Sequence, residues 1–345
     1  MVSIISQNTV LSCISNQHDL VNLLKDPNLK AGENKITLSY DLNQEYPSIN
    51  LCANVGYNAG RGTLTGLNIS HKFEPEEIGV YCGTTYGGFF EGQKKQCDAF
   101  IKHGPRGVTP SLSIYNGIHL TSDIFAIKHN IRGTNLTNTT GYIASGIAMM
   151  QAFDDIEDNV LSDAIVIGTE QVDGLLIDIL SCQGETSPDI YKTGSGALWL
   201  SNTSIKSETD SLFLKVVEID SIPITQWDSK CCSQIIVKTL NKIFTSCKIK
   251  SRNIDCIITC NNFSKEEELG YDNAIKHFFK HPVEKYEMVK KLGHYMGANP
   301  AIAAACATLL LNQSDSNVKN VAIIATDPSG MCFSCVIGKG GHDYI

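Results

Sequence analysis

Short runs of apolar residues recur along the chain and indicate buried strands. They occupy residues 78–84, 163–168, 196–201, 254–260, 321–326 and 333–337. A strand that is apolar on both faces is typical of the interior of a sheet that helices cover on both sides. Segments of helical pattern separate these runs, so the sequence predicts an α/β protein.

The order of these elements repeats. In each half, a strand is followed by helical sequence, a second strand, a turn and a third strand. The repeat predicts an N-terminal half over residues 1–206 and a C-terminal half over residues 207–345, with the break in a polar run at 206–211. Residues from about 30 to 70 are rich in Asn and Gly and lack a clear period, so we expect an irregular cap there.

Two helices built largely of small residues, 142–152 and 297–307, also correspond between the halves. Gly141, Ser145 and Gly146 keep one side of the first helix nearly free of bulk, which permits close approach of a backbone or a ligand. The start of a helix points its N–H groups at whatever lies there, so a nucleophile is well placed at such a turn.

This turn carries a family resemblance. Residues 130–141 (Asn-Ile-Arg-Gly-Thr-Asn, then Thr-Thr-Gly) resemble the "GLRGPN…STAC" stretch of β-ketoacyl synthases, in which a nucleophilic cysteine opens the helix. Counting forward places that cysteine at Tyr142, and counting back from Asp163 places it at Ile143. Residues 98–181 contain no cysteine, so the nucleophile is missing. The resemblance implies the thiolase-like fold, a duplicated α/β/α/β/α layered architecture.

Other family positions are altered as well. The first histidine, in "AHGTxT", corresponds to Cys260, and the carboxylate that follows corresponds to Tyr271. His294 matches the second histidine, in "KSxxGHxxGA". The "GFGGxN" loop corresponds to residues 327–332, which include no aromatic residue. The catalytic positions are therefore degenerate, and we interpret His294 as structural.

The resemblance implies a function for such a chain. Family members without catalytic residues are best known as chain-length factors, the β subunits of bacterial type II polyketide synthases. They pair with an active ketosynthase α subunit, and the heterodimer encloses the acyl tunnel. The acyl chain is carried on the partner ketosynthase and on the phosphopantetheine of an acyl carrier protein, which binds mainly through the partner. We therefore expect no cofactor or metal on this chain. Many such subunits have glutamine in place of the cysteine, and this chain does not.

The resemblance also places a tunnel and an interface. The segment that starts at Arg106 resembles "RRVSPFF", which leads into the helix that lines the tunnel. Gly117 falls where fatty-acid enzymes often close the tunnel with a bulky residue. The predicted tunnel residues are Leu112, Tyr115, Asn116, Gly117 and Ile118. The strand before the nucleophile turn pairs with its two-fold mate in this fold. The predicted interface residues are Asn135, Leu136, Thr137, Asn138 and Thr139.

Two alternatives remain open at this stage. Cys260 and His294 could form a Cys–His pair in an acyl hydrolase or acyltransferase. The chain could instead be a homodimeric scaffold that binds carrier proteins. Gly117 could also serve only for tight helix packing.

Composition narrows the class of protein. The chain has 345 residues, 42% of them hydrophobic and 19% charged, which is typical of a globular protein. A net charge of −8 argues against a nucleic-acid partner. We expect no membrane span and no signal peptide, and a cytoplasmic location. The 13 cysteines lack metal or disulfide spacing. A local basic set for a carrier protein would comprise Lys238, Lys242, Lys248, Lys250 and Arg252, although a solvated helix face and loop explain it better.

Overall fold

The computed structural model describes residues 1–12, 17–26, 29, 36–47, 49–65, 74–114, 116–182, 188–202, 211–224, 226–246, 249–261, 264–313 and 317–340. Some positions of the sequence interpretation lie outside these residues. They are Tyr115, Lys248, part of the expected cap between 30 and 70, and residues 206–210 of the polar run, where the predicted boundary falls.

The strands and helices alternate along most of the chain. The strands are β1 (Val2–Leu11), β2 (Ile78–Gly83), β3 (Asn135–Asn138), β4 (Asp163–Glu170), β5 (Gly194–Ser201), β6 (Leu212–Ser221), β7 (Cys256–Cys260), β8 (Glu284–Glu287), β9 (Asn320–Asp327) and β10 (Met331–Lys339). The helices are α1 (Gln17–Lys25), α2 (Leu51–Leu64), α3 (Phe89–His103), α4 (Pro110–Ile114), α5 (Leu120–His129), α6 (Ala144–Glu157), α7 (Gly174–Cys182), α8 (Ser229–Ser246), α9 (Lys265–Phe278), α10 (Met288–Leu292) and α11 (Asn299–Leu311).

The strands form one ten-stranded sheet in the order β3-β2-β4-β5-β1-β6-β10-β9-β7-β8. The first five strands along the chain, β1 to β5, form one side of the sheet, and β6 to β10 form the other. On each side, the strands run from the outer edge to the middle in the order third, second, fourth, fifth and first of their set. β2 is parallel to β3 and β4, and β7 is parallel to β8 and β9. β1 and β6 meet in the middle, with Val2 opposite Leu214 and Ile4 opposite Leu212. The strand order therefore repeats about the β1–β6 pair.

Helices cover both faces of the sheet. α6 and α11 pack against each other and lie at the centre, where α6 contacts β2, β4 and β6 and α11 contacts β5, β9 and β7. α2 packs on β5 and β1 on the outside of one half, with α5 beside it. α8 packs on β6 and β10 outside the other half, with α9 beside it. The predicted α/β/α/β/α layering is confirmed.

Glycines allow the central helices to lie directly on the sheet. A Cβ at Gly83 of β2 would be 2.2 Å from the backbone of Ser145 in α6. A Cβ at Gly196 of β5 would be 2.8 Å from the backbone of Ile302 in α11. Both distances are shorter than a side chain can accept without movement of the backbone, so the close packing of these layers depends on the two glycines.

The expectation of irregular structure over residues 30–70 is wrong for the part that forms α2. The side chain of Asn50 caps this helix and accepts the N–H of Ala53 at 2.8 Å. Gly56 and Gly60 lie against side chains of α5. In most buried helices such positions carry large apolar residues, whose regular spacing makes the helix recognisable in the sequence. Because small residues take those positions, the sequence pattern did not reveal a buried helix.

Candidate functional site

The candidate site lies where two short 3-10 turns meet, each at the start of a central helix. The turn Gly141–Ile143 precedes α6, and the turn Met296–Ala298 precedes α11. Thr85, in the loop after β2, joins the turns. Its Oγ1 accepts the N–H of Gly297 at 2.8 Å and donates to the carbonyl of Gly141 at 3.1 Å. The equivalent helix starts of the two halves are thus fixed to each other.

Tyr142 occupies the position that faces the histidine. Its ring is partly buried and meets the imidazole of His294 edge-on, with 4.7 Å between ring centroids. The next residue, Ile143, is fully buried in the central core. Of the two positions that the sequence left open for the missing nucleophile, position 142 is therefore the one beside His294. It carries a phenol, which is a poor nucleophile near neutral pH.

His294 is completely buried and neutral. Its ring lies between the rings of Tyr142 and Tyr191, whose centroids are 4.7 and 5.1 Å away. Its Nδ1 accepts the N–H of Met296 at 3.0 Å, and its Nε2 lies 3.2 Å from the side-chain nitrogen of Asn299. Burial lowers the pKa of His294 to about 3. Both ring nitrogens face groups of this same chain, which fits the structural interpretation of His294.

Cys260 is enclosed at the end of β7 and is only 1% exposed. Its Sγ lies 4.0 Å from the backbone oxygen of Asn299, while the side chain of Asn299 contacts His294. Asn299 therefore lies between Cys260 and His294. Burial raises the pKa of the Cys260 thiol far above its ordinary value, which leaves the sulfur protonated and a weak nucleophile.

Tyr271, at the position of the family carboxylate, is a buried structural residue. Its hydroxyl donates to the carbonyl of Cys260 at 3.2 Å and lies 3.0 Å from the Thr326 hydroxyl. Thr326 in turn donates to the carboxylate of Glu267, which is 1% exposed and lies one turn earlier in α9. Sequence reasoning missed Glu267, although three consecutive glutamates open α9.

Asp327 contacts the turn at which the nucleophile would lie. Its Oδ2 accepts the N–H of Tyr142 at 2.7 Å, and its Oδ1 accepts the N–H of Ser329 at 2.8 Å. The side chain is 7% exposed. Gly141 has a φ of +61°, and a Cβ there would be 2.1 Å from Oδ2, so the contact requires glycine at position 141. In the sequence, this loop is distinctive only for its lack of an aromatic residue.

Glu170 is a second carboxylate that sequence analysis did not recognise as part of the site. It lies fully buried at the end of β4 and accepts the backbone N–H groups of Thr85, Tyr86 and Gly87 at 2.6, 3.0 and 2.8 Å. These bonds hold the loop that carries Thr85, and Thr85 links the two turns. Burial outweighs the N–H donors and raises the pKa of Glu170 to about 7.

Of the predicted tunnel residues, Leu112 lies in α4, and Asn116, Gly117 and Ile118 lie in the connection to α5. Asn116 is buried and donates through Nδ2 to the carbonyl of Leu112. Leu112, Gly117 and Ile118 are partly buried. The nearest atoms to a Cβ at Gly117 would be those of the His119 imidazole, the first at 2.7 Å. Because His119 is an exposed side chain, a larger residue could fit at position 117 if His119 moves.

The predicted interface strand is β3, which forms one edge of the sheet. Asn135, Leu136, Thr137 and Asn138 belong to it, and Thr139 follows. Leu136 is 41% exposed, and none of the four strand residues is charged. The opposite edge, β8, contains Glu284, Lys285 and Glu287, and charges of this kind discourage strand pairing. Helix α5, which packs against β3, carries the exposed apolar residue Ile127. Other exposed apolar residues lie on α3 and α4, namely Phe100, Ile101 and Ile114.

The part of the chain that the structure describes has no helix long and apolar enough to span a membrane. In the same residues, no group of three or more His, Cys, Asp or Glu side chains is arranged to bind a metal ion. The described cysteines are all free thiols. In the proposed basic set, Lys238 and Lys242 both form ion pairs with Asp220, at 2.7 and 2.8 Å, and Lys248 lies outside the described residues.

Comparison with solved structures establishes the fold. The complex described as AntDE:AntF, a type II polyketide synthase acyl-carrier protein with its ketosynthase bound to the hexaketide, contains a chain with a TM-score of 0.81 and 13% identity, over 99% of both chains. A chain of the ishigamide ketosynthase/chain length factor gives 0.80 and 14%, again over 99% of both. The ketosynthase ApeO in complex with its chain length factor ApeC from Xenorhabdus doucetiae gives 0.76 and 15%, over 98% of both.

The sequence itself matches no family model and no curated protein. At 13–15% identity the structural likeness shows the fold alone. The chain has the thiolase-like fold of ketosynthases, as its motifs predicted.

Proposed function

We propose that this chain is a chain-length factor, the non-catalytic subunit that pairs with an active ketosynthase in a bacterial type II polyketide synthase. The partner performs the condensation, and this chain shapes the acyl tunnel that sets polyketide length. The structural neighbours support this proposal because several are ketosynthases solved with a chain length factor or a carrier protein.

The state of the turn at position 142 carries the proposal. A condensing enzyme needs a thiolate at the start of this helix and free donors for the thioester oxygen. Here Tyr142 supplies a phenol, and the carboxylate of Asp327 already occupies the N–H at the start of the turn. His294 is buried and contacts groups of its own chain. The scaffold is complete, but the groups for acyl transfer are not available.

An enzyme built on Cys260 and His294 fits the geometry less well. Cys260 is buried, its thiol pKa is raised, and Asn299 lies between it and His294. A thiol protease or transferase needs the opposite arrangement, a thiol of lowered pKa within reach of its base. We therefore do not propose an independent hydrolase or acyltransferase.

The uncharged β3 edge supports a partner of the same fold. Its exposed Leu136 and the exposed Ile127 of the neighbouring α5 would be covered by a second subunit docked against β3. Interfaces of permanent complexes usually exceed about 2,000 Å². A ketosynthase docked there would complete the heterodimer, whereas a second copy of this chain would form the homodimeric scaffold considered above.

The proposal assigns no cofactor or metal to this chain. The growing acyl chain stays on the cysteine of the partner ketosynthase and on the phosphopantetheine of the acyl carrier protein, in the cytoplasm. Lys238 and Lys242 share the single carboxylate of Asp220, which offsets one of their two positive charges. The weakened local basic set supports docking of the carrier protein mainly on the partner.

Co-expression tests the proposal. The chain is expressed with the active ketosynthase of its own genome, and the product is analysed by size exclusion with light scattering and by native mass spectrometry. A one-to-one heterodimer is the expected result. The control partner is the homodimeric fatty-acid ketosynthase of the same host, which should not associate. A homodimer of this chain that ignores the polyketide ketosynthase would contradict the proposal and favour the scaffold.

A further inference from the structure

Two backbone donors from separate segments converge on one carboxylate at the start of α6. The Tyr142 N–H belongs to the turn before the helix, and the Ser329 N–H belongs to the hairpin turn between β9 and β10. The Tyr142 N–H lies 2.7 Å from Oδ2, a distance at which a backbone N–H holds an oxyanion in acyl-transfer sites. The Ser329 N–H lies 2.8 Å from the other oxygen, Oδ1, and fixes the carboxylate within its own hairpin turn. A backbone donor at the start of α6 is thus occupied by a carboxylate of the chain itself.

We propose that Asp327 is an internal blocking residue, whose carboxylate takes the place of a thioester oxygen at the start of α6 and whose charge excludes other anions. The chain is then closed to acyl groups twice, by the phenol at position 142 and by this carboxylate. The inference deepens the proposed function and rests on it in one respect, namely that the natural chain carries no acyl group.

The titratable side chains beside this turn supply no positive charge to offset that of Asp327. Tyr86 and Glu170 are the titratable neighbours on the adjoining loop and strand, and His294 is neutral because of its burial. None of these three residues carries a positive charge near neutral pH. The start of a helix ordinarily stabilises a thiolate, and the carboxylate of Asp327 opposes that effect here.

A thiol introduced at position 142 reports on this charge. In Tyr142→Cys, iodoacetamide is followed from pH 5 to 10 by mass spectrometry of the peptide that contains position 142. The thiolate sulfur forms a bond to the acetamide carbon, and iodide leaves with the electron pair. We compare the midpoint of the profile, the pH at which the alkylation rate reaches half its maximum, rather than the rate itself. The rate alone would mislead, because a thiol of lower pKa gives a less nucleophilic thiolate. The exposed Cys97 in the same sample serves as an internal reference.

The decisive comparison adds Asp327→Asn, which removes the charge and keeps the shape. The midpoint should fall by about one pH unit or more, because a neighbouring negative charge disfavours the thiolate. The matched control is Asp255→Asn in the same background. The Oδ2 atom of Asp255 also accepts two backbone N–H groups, of Lys319 at 2.7 Å and Asn320 at 2.8 Å, at the other end of β9. The control should leave the midpoint unchanged.

A second variant protects the test against misfolding. Asp327→Ser removes the charge and shortens the side chain, so that it no longer contacts the Tyr142 N–H. Serine also suits the first position of a β-turn. It should lower the midpoint as Asp327→Asn does, with the fold verified by circular dichroism. A midpoint that stays within about 0.2 pH units of the parent in the folded variants would overturn the blocking role. That result is distinct from failure of the proposed function, which would show as an acyl group on the natural chain.

Discussion

At the scale of single residues, Glu170 connects burial to pH. Its raised pKa, about 7, means that the folded chain binds this proton more tightly than the unfolded chain does. The stabilisation is fully present below about pH 4.5 and is lost as the pH rises through 7. A shift of this size corresponds to about 3 kcal/mol between those limits.

Glu170→Gln should therefore remove part of the pH dependence of the unfolding free energy. Relative to the natural chain, the variant should gain stability between pH 5 and 7.5, whatever the constant cost of placing an amide beside the N–H donors. Urea unfolding at several pH values measures the difference. Glu266→Gln, on the exposed first turn of α9, is the control. Parallel profiles for the natural chain and Glu170→Gln would show that Glu170 does not titrate in this range.

Gly117 tests the tunnel at the same scale. Gly117→Phe should displace the exposed His119 side chain and shorten the polyketide made by an intact heterodimer, because the new ring would narrow the space that we assign to the acyl chain. Product masses from the reconstituted synthase measure chain length. Gly174→Phe is the control, since no atom lies within 4 Å of a Cβ at Gly174. Unchanged product length with Gly117→Phe would leave Gly117 with a packing role only.

The sequence singled out positions 142 or 143, 260 and 294 because each belongs to a local motif. It did not reveal the roles of Asp327 and Glu170, whose contacts join residues far apart in the chain. Asp327 lies 185 positions from Tyr142, and Glu170 lies 85 positions from Thr85. No local pattern encodes such pairings. The glycine at 141 was a visible signal, but its reason, contact with a carboxylate, needed the fold.

At the scale of elements, the spacing between α6 and the sheet is set by Gly83. Gly83→Ala would place a Cβ 2.2 Å from the Ser145 backbone, so helix or strand must move. Overpacking of this kind costs about 1–3 kcal/mol. A lowered thermal midpoint is the expected result, measured by circular dichroism. Gly174→Ala, which meets open space, should stay within about 0.5 kcal/mol of the natural chain. Equal midpoints for the two variants would contradict the close packing.

The edge strand β3 gives a second prediction for an element. Leu136→Lys should weaken association with the ketosynthase and leave the fold intact, because it places a charge at the exposed apolar position of the strand. Co-purification from cells that express both chains measures association. Leu269→Lys changes an apolar residue of similar exposure, 53%, on α9 and serves as control. Full association of Leu136→Lys would place the interface elsewhere.

Buried strands such as β4 and β9 were predictable because every residue in them is buried and most are apolar. β1 was not predicted, since polar residues interrupt it. In the structure, those polar side chains of β1 form hydrogen bonds with the backbone of α2. Ser6 donates to the Thr63 carbonyl at 2.6 Å, and Asn8 donates to the Ala59 carbonyl at 3.3 Å. α2 was missed for the complementary reason, its small residues. Tertiary partners, rather than local pattern, stabilise both elements.

At the scale of the whole molecule, the fold and the candidate site depend on different residues. The sheet and the two central helices depend on apolar cores and on glycines at close approach, and few of those residues belong to the site. The proposed function, in which the fold is kept without residues for acyl transfer, is consistent with this separation. What remains is a body of ketosynthase shape with one uncharged sheet edge.

The most direct test of the central claim is to locate the acyl group in the heterodimer. The complex is incubated with an acyl carrier protein that bears an isotope-labelled acyl group, and both chains are digested and examined by mass spectrometry. The account predicts label on the cysteine of the partner ketosynthase and none on this chain. Label on this chain, at Cys260 or at any other residue, would contradict a non-catalytic role.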